Sequence, residues 1–251
     1  MTIVDRGEGS PIVLVPGLQG DWEYLCPAVE ALARRHRVIT FSLGDERAGL
    51  DGLAAQVEAA LDDRGVARAA ICGVSFGGRV ALRFAARHPE RTSALVLVSV
   101  PGSRWRLRPS HRWCAHHPHI CAPIVFPVLF ARMREELAAA MPDARQRRQL
   151  MQHEIGLVLR GRISPSRMAA RALMIDGLDV TADCAGIAAR TLIVSGEAAL
   201  DHVAPAGGAG GFAALIAGSR GVTIGRTGHL GCITRPAEFA GLVHAFLAQR
   251  G

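Results

Sequence analysis

The segment RAAICGVSFGGR, Arg68 to Arg79, carries the pattern that decides the fold of this chain. Arg68 to Ser75 reads as an apolar strand, and the residues after Gly77-Gly78 read as a helix reaching about Arg87, where His88-Pro89 stops it. Between them lies Gly73-Val74-Ser75-Phe76-Gly77, the one G-x-S-x-G pattern in the sequence. A sharp strand-to-helix turn folds backbone back against backbone. Glycines two before and two after the serine remove the Cβ atoms that would collide there. Such a turn lifts the Ser75 hydroxyl above a sheet and beside a helix N-terminus, whose partial positive charge favours a developing anion.

Similar strand–helix pairs flank this segment. IVLVPG (Ile12 to Gly17), HRVITFSL (His36 to Leu43), SALVLVSV (Ser93 to Val100) and RTLIVSGE (Arg190 to Glu197) are apolar, β-branched runs. Runs apolar on both faces suit central parallel strands. Helical periodicity fills Pro27–Arg35, Leu50–Arg64 and Pro236–Gln249, and a shorter helix, Phe212–Ala217, precedes a short strand at Val222–Gly225. The alternation predicts a mostly parallel α/β sheet flanked by helices. It lapses over residues 104–185, which hold an apolar, proline-rich stretch (Ala122 to Phe130) and helical segments around Arg134–Ala140, Arg145–Arg160 and Pro165–Ile175. The expected organisation is a core from 1–103 and 186–251, with 104–185 as a helical insertion over the carboxyl ends of the strands.

Composition narrows the function classes. The 251 residues are 49% hydrophobic and 20% charged, which excludes a disordered or fibrous chain. No apolar run approaches the ~20 residues that span a bilayer. The start, MTIVDRGEGS, lacks the apolar core of a signal peptide. Six dispersed cysteines without a CxxC pair point to reduced thiols and a cytoplasmic compartment. All 29 basic residues are arginine, and residues 101–180, with 13 arginines and 6 acids, carry the whole net charge of +7. With so few aromatics and no recognisable module, nucleic-acid binding is not expected.

A serine hydroxyl needs a base, and the base needs an orienting acid. Of ten histidines, His229 lies in Gly225–Gly231, after the last strand and before the last helix, which puts it on a loop at the same sheet edge as Ser75. His202 is its rival, but it directly follows an acid candidate and cannot easily face it. The loop after RTLIVSGE supplies two acids. Asp201 sits further out, free to reach His229; Glu197 follows Gly196 at the strand end, where it would more readily brace the loop. An oxyanion needs two backbone N–H donors: Phe76, after the nucleophile, and Leu18 in Pro16-Gly17-Leu18-Gln19-Gly20.

With VLVPG, GVSFGG, AARHPERTSALVLVS, the acid loop and TGHLG in place, nearly the whole chain resembles an α/β-hydrolase fold serine hydrolase with a helical cap. The resemblance implies the chain order Ser, acid, His, which Ser75, Asp201 and His229 obey. Two positions depart from it. Many relatives carry His-Gly where Pro16-Gly17 stands, and many carry the acid where this chain has Ala199. A serine at the elbow argues against the haloalkane dehalogenase and epoxide hydrolase branches, for which the resemblance implies aspartate.

The expected activity is cleavage of a carboxylic ester or related acyl bond through an acyl-enzyme, without cofactor or metal, on a small hydrophobic acyl substrate. C–C bond hydrolysis, acyl transfer and perhydrolysis use the same triad; a non-catalytic receptor on this scaffold and a lipase-like enzyme docking on anionic lipid are the other classes. The cluster His111, Cys114, His116, His117, His119 and Cys121 lacks the paired spacing of a zinc site and reads as a proline-bounded loop. Pro123 to Phe130 is expected to line the acyl pocket or to pack the insertion onto the core.

Overall fold

A computed structural model describes residues 2–44, 46–203 and 208–249. The first half runs β1 (Ile3–Arg6), β2 (Pro11–Val15), α1 (Cys26–Ala33), β3 (Arg37–Phe41), α2 (Gly49–Asp63), β4 (Ala69–Val74), α3 (Phe76–Arg87) and β5 (Thr92–Val98). Helices α4 (Pro109–His116), α5 (Pro118–Ala140), α6 (Ala144–Leu159), α7 (Pro165–Ile175) and α8 (Thr181–Ala185) follow. The last part comprises β6 (Thr191–Gly196), α9 (Gly208–Leu215), β7 (Arg220–Ile224), α10 (Gly231–Thr234) and α11 (Pro236–Ala248).

These strands form one sheet in the order β1-β3-β2-β4-β5-β6-β7. All neighbours are parallel except β1, which runs antiparallel to β3 and pairs Ile3 with Phe41. Alternation along the strands divides the core into two layers. Val13, Ile39, Ile71, Leu95 and Ile193 face α2, α3 and α9, while Leu14, Val38, Cys72, Val96 and Val194 face α1 and α11. The apolar runs of the sequence are these doubly buried strands, so the expected mostly parallel sheet is observed.

Three elements differ from the sequence reading. β1 has only four residues, and Ile3, Val4 and Asp5 are half-buried, so its sequence carries no apolar run. Helix α5 passes straight through Pro123 and Pro127, where the proline-rich stretch gave no helical signal. Each proline removes one helical hydrogen bond, but both residues are exposed, and a carbonyl freed on a solvent-facing side of a helix costs far less than a buried one. Likewise α4 runs to His116, so of the His116-His117 pair only His117 lies outside a helix, at the break before Pro118 begins α5.

The five helices α4 to α8 leave the sheet after β5 and return before β6. Arginines fasten them to the core. Arg79 of α3, wholly buried, donates to the carbonyls of Leu178, Pro101 and Gly102, at the two ends of the insertion. Arg162 pairs with Asp21 and Glu23, and Arg167 donates to the Leu43 carbonyl. Much of the basic excess is thus occupied locally. Arg79→Met would leave those carbonyls without their donor; the expected loss is about 5–10 °C in Tm by calorimetry. An unchanged Tm would show that Arg79 does not hold the insertion.

Candidate active site

Ser75 stands between β4 and α3 at φ 54°, ψ −117°, a left-handed conformation that L-residues rarely adopt. The strain follows from crowding. A Cβ on Gly73 would run into the carbonyl of Gly77, and one on Gly77 into the carbonyls of Val15 and Pro16. The Ser75 hydroxyl is thereby held over the carboxyl ends of the strands. His229 Nε2 lies 2.9 Å from Ser75 Oγ. On the other side of the ring, Nδ1 lies 3.2 Å and 3.3 Å from the two oxygens of Asp201. The Asp201 carboxylate is buried, and its Oδ1 also accepts from the Val203 N–H at 2.9 Å.

Glu197 takes the bracing position. Its Oε1 accepts from Arg226 N–H at 2.8 Å, and its own N–H donates to the Thr227 carbonyl at 2.7 Å. His202 points elsewhere, 3.5 Å from Glu135. The histidine loop has a second brace from the insertion. Glu136 of α5 is buried, and its Oε1 accepts from Thr227 Oγ1, Gly228 N–H and Leu230 N–H at 2.8, 2.8 and 2.6 Å. Burial pushes its carboxyl above the usual range, against the pull of those three donors and of His229. Sequence reasoning missed Glu136. The signal was its phase, because Met133, Glu136, Leu137 and Ala140 form one buried helix face.

Phe76 is the first residue of α3, so its N–H has no helical carbonyl to meet. Leu18 belongs to a turn closed by a 3.0 Å bond from Gly20 N–H to the Gly17 carbonyl. Two missed residues hold that turn. The buried hydroxyl of Tyr24, the single tyrosine of the chain, accepts from Gly17 N–H at 2.5 Å. Arg171 of α7 donates to the Leu18 carbonyl at 2.8 Å and to the Leu43 carbonyl at 3.2 Å.

A cavity of about 130 Å³ runs from His229 between the core and the insertion. Phe126, Leu129, Phe130 and Met133 of α5 line one side; Val158 and Ile163 line another. The apolar stretch of α5 is therefore divided: these aromatics face the cavity, whereas Ile124 and Val128 are exposed. His119 bonds Ser166 and His117 packs on Trp113; among the described residues no three metal-ligating side chains gather.

A family model described as alpha/beta hydrolase fold matches residues 10–140. The chain belongs to the α/β-hydrolase fold family. Among curated proteins it is similar to a putative carbamate hydrolase RutD of Azorhizobium caulinodans, 35% identical over 102 residues, 38% of each chain. It is 29% identical over 276 residues to polyketide synthase ThaQ of Burkholderia thailandensis, covering 98% of this chain and 12% of that protein. The chain thus spans well under two thirds of these two relatives. It is 27% identical to a 2-hydroxymuconate semialdehyde hydrolase of Pseudomonas sp. CF600, across 98% of this chain and 89% of the relative. Among solved structures, the enol-lactonase of Burkholderia xenovorans LB400 superposes with a TM-score of 0.76 at 22% identity, covering 99% and 96% of the two chains, which speaks for the fold. Among the described residues no helix is long and apolar enough to cross a membrane.

The cavity also holds Glu154 of α6, whose carboxyl burial pushes up from 4.5 to about 8. Its neutral form is favoured in the fold, so the destabilisation is absent below about pH 4.5, grows as pH rises, and is complete above about pH 8. Melting temperatures measured from pH 5 to 9 should therefore fall more steeply for the native protein than for Glu154→Leu. The corresponding difference in stability should reach a few kcal/mol at the alkaline end; parallel melting curves would refute it.

Proposed function

We propose that this α/β-hydrolase family member is a serine hydrolase that cleaves a carboxylic ester or a related acyl bond. The observation that carries this reading is one imidazole bridging a strained serine and a buried carboxylate. His229 Nε2 is in reach of the Ser75 proton, and Nδ1 faces Asp201. Ser75 attacks the carbonyl carbon as His229 takes its proton. Asp201 accepts from Nδ1–H, holds the ring in the required tautomer and stabilises the imidazolium. The N–H groups of Leu18 and Phe76 donate to the oxyanion. His229 then protonates the leaving group, and water, deprotonated by the same ring, cleaves the acyl-enzyme.

The helices α4 to α8 act in this reading as a cap formed by the insertion, and the apolar cavity beneath them takes the hydrophobic part of a small acyl substrate. The curated relatives named above include a carbamate hydrolase and a semialdehyde hydrolase, which supports reading the scissile bond as an ester or a related acyl bond. The cysteines of the described chain are free thiols, which fits a reducing, cytoplasmic setting.

A fluorophosphonate probe should label Ser75 in the native protein and not in Ser75→Ala. On p-nitrophenyl esters of graded length, Ser75→Ala should lower kcat by roughly 10⁶-fold, and Asp201→Asn by about 10³–10⁴-fold. Undiminished turnover in Ser75→Ala would remove the reading. Glu136→Ala frees three donors of the histidine loop, and a drop of about 10-fold or more in kcat is expected without loss of fluorophosphonate access to Ser75. Unaltered kcat would show that the loop holds its shape alone.

A further inference from the structure

Glu154 is a carboxylic acid where an apolar side chain would pack. It lies on the inward face of α6 with Leu157, is 6% exposed, and lines the same cavity as His229. Its Oε1 is buried and has no hydrogen-bond partner. The other polar groups of the cavity are otherwise engaged or do not reach it. Glu136 Oε1 is saturated by three donors, Tyr24 takes the Gly17 N–H, His202 faces Glu135, and His229 faces Ser75 and Asp201. Arg132 lines the cavity without an ion pair to Glu154 among the described residues. Gln19 also lines the cavity but does not bond Glu154 Oε1, and the remaining surroundings, such as Phe126, Val158, Ile163 and Met168, are apolar. Buried polar atoms in folded proteins are nearly always satisfied, so an exception calls for an explanation, and this one lines an otherwise largely apolar cavity suited to a ligand.

We propose that Glu154 is a specificity-determining residue that hydrogen-bonds a neutral oxygen, keto or hydroxyl, carried on the buried chain of the substrate. The inference rests on the serine-hydrolase reading for the reacting end of that substrate and adds the nature of its far end. Burial keeps the carboxyl largely protonated at neutral pH, so it offers a donor to an oxygen rather than a charge to a cation. A plain alkyl chain would leave the acid unsatisfied. A chain with an oxygen in register would satisfy it inside an apolar wall, where such a bond discriminates most strongly.

The test compares p-nitrophenyl heptanoate with its 5-oxo, 6-oxo and 6-hydroxy counterparts and with p-nitrophenyl 6-aminohexanoate, on the native protein, Glu154→Gln and Glu154→Leu. One oxygenated ester should exceed the plain ester in kcat/KM by roughly tenfold on the native protein. Glu154→Gln, whose amide still donates, should keep part of that ratio, and Glu154→Leu should reverse it. Calorimetric binding of the matching amides to Ser75→Ala, with and without Glu154→Leu, reads the same preference without turnover. An oxygenated-to-plain ratio unmoved by Glu154→Leu, or a native preference for the amino ester, overturns the proposal. If no ester is cleaved and Ser75 resists the fluorophosphonate, the hydrolase reading fails by itself, and the amide ratios still decide the role of Glu154. Should Glu154→Leu not fold, the near-isosteric Glu154→Gln decides instead: a ratio equal to that of the native protein, on esters and amides alike, counts against a role for the acid.

Discussion

The packing of three backbone segments into one turn governs this molecule. β2, β4 and α3 approach so closely at Gly73 and Gly77 that only hydrogen fits in place of a side chain. That contact forces Ser75 to φ 54°. A strained residue of this kind costs about 1–3 kcal/mol and persists only when its surroundings over-determine it. Here the surroundings are the central strands of the sheet, buried on both faces, with Ser75 N–H tied to the Val98 carbonyl at 2.7 Å. The rigid, doubly covered core offsets the strain that exposes one hydroxyl.

Around that fixed serine, the loops of the site are held by carboxylates, a phenol and a guanidinium group rather than by regular structure. The histidine loop is gripped from below by Glu197 and from above by Glu136. The Gly17–Gly20 turn is gripped by Tyr24 on one side and Arg171 on the other. Two of these four groups, Glu136 and Arg171, belong to the helices inserted between β5 and β6. The insertion therefore does more than close a cavity, because it supplies hydrogen bonds to both loops that flank Ser75.

The charge asymmetry of the sequence takes on a local meaning in the same light. Residues 101–180 carry the net positive charge. Several of their arginines end on core carbonyls or acids: Arg162 on Asp21 and Glu23, Arg167 on Leu43, Arg171 on Leu18 and Leu43. Guanidinium groups suit this use, since a planar fork satisfies more than one carbonyl and keeps its charge when buried. The chain has no lysine to do the same work.

Local sequence determined the strands, the helices around them and the serine elbow. Apolar runs can be stable only when covered on both sides, and Gly-x-Ser-x-Gly between strand and helix permits few backbone paths. β1 escaped because an edge strand of four half-buried residues needs no apolar run. The unbroken α5 escaped because Pro123 and Pro127 fall on its exposed side, which only the packed structure reveals. Chain order singled out His229 among ten histidines, and position in the loop favoured Asp201 over Glu197 as its partner; the tertiary structure added the distances and the acceptance of the Arg226 N–H by Glu197. Glu136, Arg171 and Glu154 came only from the tertiary structure, each an ordinary helical charge until α5, α6 and α7 pack onto the core. The physical reason is distance along the chain. Contacts such as Glu136 to Leu230, 94 residues apart, depend on how separate elements dock, and no local pattern of residues encodes that docking.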